Sequence, residues 1–151
     1  MKTAMLTCVL VLASAPSHAT ECKSVLATMD EVRTTTGCNP GLSACFLGVV
    51  DGNHGLRGTT YFKGDPGAGT PPATSLDFRA YSGVFEYATD RGTLTMRETG
   101  AVSGTQGVVT AYQKITDATG EFAGVTGYVF VNGFTRSGHV TTTVSGEFCY
   151  P

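Results

Sequence analysis

Glu98 is the residue best placed to do chemistry in this chain. It ends an alternating run, Leu94, Met96, Glu98, in which Thr93, Thr95, Arg97 and Thr99 fill the other positions. Successive side chains of a strand point to opposite faces. Leu94 and Met96 suit an interior, so Glu98 is carried inward with them. A carboxyl group removed from water holds its proton more tightly, which suits it to general acid–base work near neutral pH. Glu86 is the second catalytic candidate. It alternates with Val84 and Ala88, opposite Phe85 and Tyr87, and either face of that segment can be the inner one. Tyr81, Tyr87 and Tyr112 each offer apolar area with a hydroxyl handle, and together with Met96 and Phe130 they are the expected lining of a ligand pocket. Asp77 and Glu147 fall on faces that suit solvent, and His54 and His139 sit beside glycines in turns. Spacing assembles no Ser-His-Asp set. Asp51-Gly-Asn53 lacks the spacing and closing glutamate of a calcium loop, so no metal site is expected.

The elements that must position these residues read as eight strands. They are Ser24 to Thr35, Ala44 to Asp51, Leu56 to Lys63, Ser75 to Ala88, Gly92 to Val102, Thr105 to Thr116, Val125 to Thr135 and Gly138 to Cys149. In the first, Val25, Leu26, Met29 and Val32 also fit a helical stripe, so a short helix is the alternative there. Thr89-Asp90-Arg91-Gly92 and Arg136-Ser137-Gly138 are hairpin signals. Ser82-Gly83 suggests a bulge or bend inside its strand, and the Gly/Pro-rich stretch from Gly64 to Thr74 reads as a surface loop. No helical pattern recurs between strands, which excludes a βαβ fold. Short-turn sequential strands favour an antiparallel sandwich or an up-and-down barrel. In the last strand Val140, Thr142, Val144 and Phe148 share a face. Between Val125 and Thr135 both faces are apolar, so something is expected to cover the outer one.

The termini and composition bound the rest. Lys2, the apolar run from Ala4 to Ala13 and the small-x-small ending Ser17-His18-Ala19 form a signal-peptide pattern over residues 1–19. The run is shorter than the about 20 residues that span a bilayer. Residues 20–151 then form one domain, exported to a periplasm or beyond, with no membrane span expected. Net charge is -2 at pH 7, and lysines and arginines are scattered, so no nucleic-acid surface is expected. Cys22, Cys38, Cys45 and Cys149 remain after cleavage. An even number in an exported chain implies disulfides; of three possible pairings Cys38–Cys45 and Cys22–Cys149 are favoured, and structural zinc is disfavoured by the missing Cys-x-x-Cys spacing.

Gly120, Gly124 and Gly127, with Phe122 between the first two, punctuate a segment that joins two strands. Glycine permits positive φ and close backbone approach, so this is a tight, packed corner. The corner resembles that of the allene oxide cyclase and dirigent barrels. Tyr81-Ser-Gly83, Gly92-Thr-Leu-Thr-Met-Arg-Glu-Thr-Gly100 and Ser145-Gly-Glu-Phe-Cys149 extend the likeness to exported bacterial proteins of the allene oxide cyclase barrel-like group, which also includes pyocyanin demethylase. The resemblance covers roughly residues 44–151. It implies an all-β, eight-stranded antiparallel up-and-down barrel with an apolar cavity, frequently trimeric, acting without cofactor on a small hydrophobic or aromatic molecule. The implied activity is isomerase- or cyclase-like. The alternative is a binding barrel that carries or sequesters an apolar ligand. A third reading, a barrel filled by its own side chains, is separated from both by whether a cavity of about 300 Å3, the low end for ligand pockets, is open.

Overall fold

In a computed structural model of the chain, residues 20–66 and 77–151 are described. The expected signal segment, and most of the Gly/Pro-rich loop with the start of the fourth expected strand, lie outside the described residues. Eight strands follow in order: β1 (Glu21–Arg33), β2 (Cys45–Gly52), β3 (Arg57–Gly64), β4 (Phe78–Thr89), β5 (Gly92–Ser103), β6 (Val108–Ala118), β7 (Thr126–Arg136) and β8 (His139–Tyr150). Each pairs antiparallel with the next, and β1 pairs with β8. The result is a closed up-and-down barrel, the expected architecture.

The alternation of side chains explains why the strands close in this way. On β1, Val25, Ala27, Met29 and Glu31 are buried and the residues between them are exposed. That period of two commits the segment to a strand rather than to the alternative helix. β5 buries Leu94, Met96 and Glu98, and β8 buries Val140, Thr142, Val144 and Phe148. At Arg136-Ser137-Gly138 the turn takes positive φ, 53° at Ser137 and 80° at Gly138, the conformation whose twist matches a two-residue hairpin. The bulge lies elsewhere than expected. β4 stays in register with both neighbours through Gly83. The register shifts instead between Thr95 and Met96, where β6 carries the extra residue Thr116. Gly83 is needed for space: a Cβ there would stand 2.5 Å from the Phe62 ring.

The two ends of the barrel differ. At the floor, where the start of β1, the end of β8 and the β2–β3, β4–β5 and β6–β7 connections gather, Val25, Leu56, Leu94, Phe122 and Phe148 are fully buried. Each such side chain contributes about 1.5–3 kcal/mol of burial free energy. Phe122 reaches that position from the glycine corner, which forms a single 3-10 turn, Gly120–Phe122. The corner is tight because Gly120 holds φ at 63° against the Arg91 carbonyl. Two disulfides form as favoured. Cys38–Cys45 closes the loop between β1 and β2, and Cys22–Cys149 joins paired residues of β1 and β8. The opposite end, the rim, carries the β1–β2, β3–β4, β5–β6 and β7–β8 connections. Among the described residues no helix is long and apolar enough to cross a membrane.

Candidate functional site

A cavity of about 330 Å3 occupies the rim half of the barrel. Its apolar walls include Met29, Phe46, Phe62, Phe85, Val109 and Val131. Phe62 is the centre of the aromatic wall, with its ring 5.7 Å from Tyr81 and 6.2 Å from both Phe46 and Phe85. Arg33 and Arg79 stand at the opening. Two buried carboxyl groups line this space, Glu98 from β5 and Glu31 from β1, 5% and 6% exposed. β1 and β5 are four staves apart in a ring of eight, so the two carboxyls come from opposite walls.

The surroundings of Glu98 fix its orientation. The Gln113 amide donates from Nε2 to Glu98 Oε2 at 2.5 Å. The Tyr87 hydroxyl donates to Gln113 Oε1, also at 2.5 Å. Because Oε1 of the amide is occupied by Tyr87, its nitrogen must face Glu98. The Tyr81 hydroxyl is a further hydrogen-bond partner of Glu98. Burial raises the Glu98 carboxyl from 4.5 to about 7, against the lowering effect of Gln113 and Tyr81. Glu31 is likewise raised from 4.5 to about 7, first by burial and then by the charges of Glu98 and Asp30, while the hydrogen bond from Thr60 opposes the shift. The Thr60 hydroxyl donates to Glu31 Oε1 at 3.0 Å. Glu31 thus feels the charge of Glu98 from across the barrel. Burial and Glu98 push Tyr81 and Tyr87 upward, so both stay neutral donors. This arrangement can hold one proton near neutral pH and pass it to or from a molecule in the cavity.

Space for the inward polar groups comes from glycines on neighbouring strands. Glu31 is paired with Gly48 across β1 and β2, where a Cβ would meet Glu31 Cγ at 2.6 Å. Tyr81 is paired with Gly100 across β4 and β5, where a Cβ would meet the tyrosine oxygen at 2.6 Å.

Of the residues singled out from sequence, Glu98 and Tyr81 line the cavity. Tyr87 and Met96 point inward and are fully buried. Tyr87 acts on the site through Gln113, and Met96 packs in the core below. The other expectations are corrected. Glu86 lies on the outer face, since Phe85 and Tyr87 take the inner one, and it pairs with Lys63 at 2.5 Å. Tyr112 and Phe130 are also outside, 40% and 49% exposed, in a ring cluster with Tyr128. They cannot line a pocket inside the barrel. Sequence reasoning misses Glu31, Thr60, Gln113 and Thr142 as site residues. The signal for Glu31 is its parity with Val25, Ala27 and Met29, hidden by the competing helical stripe. Parity with Val109 and Ala111 points to Gln113 in the same way. Among the described residues, Cys22, Glu147 and Cys149 cluster as metal-ligating types do, but the two sulfurs are bonded to each other. The chain matches no family model and no curated protein.

Proposed function

We propose that this protein takes a small hydrophobic or aromatic molecule into the barrel and works on it by acid–base chemistry of the isomerase or cyclase kind. Glu98 is the proton carrier. The carrying observation is a buried carboxyl raised to about 7 in the wall of a cavity of about 330 Å3. A group with that pKa is available both as acid and as base near neutral pH. In its ionised form Glu98 would take a proton from the bound molecule, with Gln113 and Tyr81 holding the carboxylate in place. In its protonated form it would return a proton at another position. Neutral Tyr81 would orient an oxygen of the substrate. Glu31, facing from β1, would keep the second polar end of the molecule in register.

The eight-stranded barrel supports kinship with the allene oxide cyclase-like group, which is part of the same proposal. The two disulfides are compatible with an oxidising compartment and support export. The exposed rings of Tyr112, Tyr128 and Phe130 support an assembly of like subunits.

The test begins with native mass spectrometry of the protein purified from its own host, to identify a co-purified molecule and count subunits. That molecule is then incubated with the protein in deuterated water, and deuterium uptake at its carbon positions is followed. Uptake that needs the protein and is lost in Glu98→Gln is expected. A molecule that binds but never exchanges would leave the barrel as a carrier and remove the catalytic reading.

A further inference from the structure

The Glu31 carboxyl is hydrogen-bonded on one side only. Its Oε1 accepts the Thr60 hydroxyl at 3.0 Å, and among the described residues nothing donates to Oε2. Thr142 Oγ1 is the one described side-chain polar atom that is both buried and without a partner, so the bare Oε2 is not sealed into the wall and borders the cavity. Glu98 differs, since Gln113 holds its Oε2 and Tyr81 is a second partner. Among the described residues neither carboxyl has a cation beside it. The strands that flank β1 set Gly48 and Val140 against Glu31, and Glu98, Tyr81 and Tyr87 act on it from across the barrel. Asp30, next to it in sequence, turns outward to His139. Arg33 and Arg79 stay at the opening, exposed to water, and Asp65 at the same opening is taken up by Arg97 and Ser82.

Buried charges are paired or bound to a metal. Glu31 and Glu98 belong to no metal-ligating cluster among the described residues, so their ionised forms lack a counter-ion from the chain itself. The arc of wall between them is aromatic. β2, β3 and β4 lie between β1 and β5 in the ring and bring Phe46, Phe62, Tyr81 and Phe85 to the cavity. The face of an aromatic ring attracts an organic cation, more strongly where water is excluded. We infer that the molecule accepted here is an aromatic carrying an alkylamine, bound as its ammonium ion, with Glu31 Oε2 as acceptor and counter-ion. This rests on the reading that the cavity takes small aromatic molecules, and it names the polar end that Glu31 receives. A bound cation favours the ionised form of Glu31, so it displaces the proton that burial holds on the empty site. Affinity for the cation therefore rises with pH, and a neutral molecule of the same shape gains little from that ionisation.

The experiment uses naphthylmethylamine and naphthylmethanol, which share a skeleton and differ by an ammonium in place of a hydroxyl. The amine stays protonated over the range used, and naphthalene fluorescence is readable because the chain has no tryptophan. Wild type, Glu31→Gln and Glu98→Gln are titrated with each at pH 5 and pH 8 and constant ionic strength, after thermal melts confirm folding. At pH 8 wild type is expected to bind the amine about tenfold more tightly than the alcohol, the ratio that one charge-assisted hydrogen bond supplies, and at pH 5 about equally. Glu31→Gln should bring the ratio to about one at both. In Glu98→Gln the preference should persist and set in at lower pH, because the charge of Glu98 is one of the causes that raise Glu31. Equal binding of the two probes by wild type at pH 8 overturns the inference and leaves the cavity reading intact. So does a preference that ignores pH or survives in Glu31→Gln. Binding of neither probe at either pH removes the cavity reading and the inference together. If Glu31→Gln does not fold, the pH profiles of wild type and Glu98→Gln decide the matter.

Discussion

Burial of two carboxyl groups in one cavity makes the stability of this barrel depend on pH in an unusual direction. Glu31 and Glu98 are each raised from 4.5 to about 7 in the folded protein. Below pH 4.5 both are protonated in the folded and the unfolded chain, and pH has no effect through them. Between 4.5 and 7 the unfolded chain has released these protons and the folded one has not. The folded state then binds more protons, so stability falls as pH rises. Above 7 the loss is complete and the curve flattens. The interval is about 2.5 pH units at about 1.36 kcal/mol each, or about 3 kcal/mol for each carboxyl. Asp65, held low by Arg97 and Ser82, has the opposite sign, but its contribution is lost only as pH falls below the ordinary aspartate range, outside this window. Thermal melts followed by circular dichroism at pH 5, 6, 7 and 8 and constant ionic strength are the assay. For Glu98 alone the melting temperature should drop by about 10 °C over the window. Glu98→Gln should match wild type near pH 5, exceed it at pH 8, and show about half of the slope. A flat or rising wild-type profile between pH 5 and 8, or a Glu98→Gln variant no more stable than wild type at pH 8, would refute the argument that these carboxyls are desolvated.

Two further outcomes follow from the fold. Gly48→Ala puts a methyl group against the Asp30 carbonyl oxygen and, at 2.6 Å, Glu31 Cγ; overpacking of this kind is expected to cost about 1–3 kcal/mol in urea denaturation, and wild-type stability would mean that β1 does not lie this close over Gly48. Replacing Cys22 and Cys149 together by serine opens a link between residues 127 apart in sequence. A loss of about 4–5 kcal/mol is expected from the chain-entropy argument, and an unchanged melting temperature would show that strand pairing alone holds the two ends.

Much of the barrel, and one side of its site, is legible in the order of residues alone. Leu94, Met96 and Glu98 declare their face because a clean alternation of apolar and hydroxyl residues leaves only one way to turn the strand. The glycine corner is legible because Gly120, Gly124 and Gly127 all sit where φ is positive. Glu31 is hidden because β1 carries apolar residues on both faces, Leu26 and Val32 outside as well as Val25 and Met29 inside, which imitates a helical stripe. Tyr112 and Phe130 mislead for a related reason. Their strands, β6 and β7, carry large apolar side chains on the outer face too, so hydrophobicity alone does not say which rings face the cavity. The role of Gln113 depends on Tyr87 and Glu98 arriving from two other strands, which is a property of the closed ring and not of any segment.

The seam between β1 and β8 also sets how the barrel comes together in time. Every other ladder joins strands that are neighbours in sequence. This one runs from Glu21 against Tyr150 to Val32 against His139, so the first strand of the barrel must wait for the last. Contacts of such long separation pay their chain-closure entropy before they return any stability, and they slow folding accordingly. Until β8 docks, both outer strands of the growing sheet expose unpaired backbone groups, the usual template for pairing with another chain. Self-association during folding is thus concentrated at one place, and the rate at which the ring shuts determines how long that place stays open.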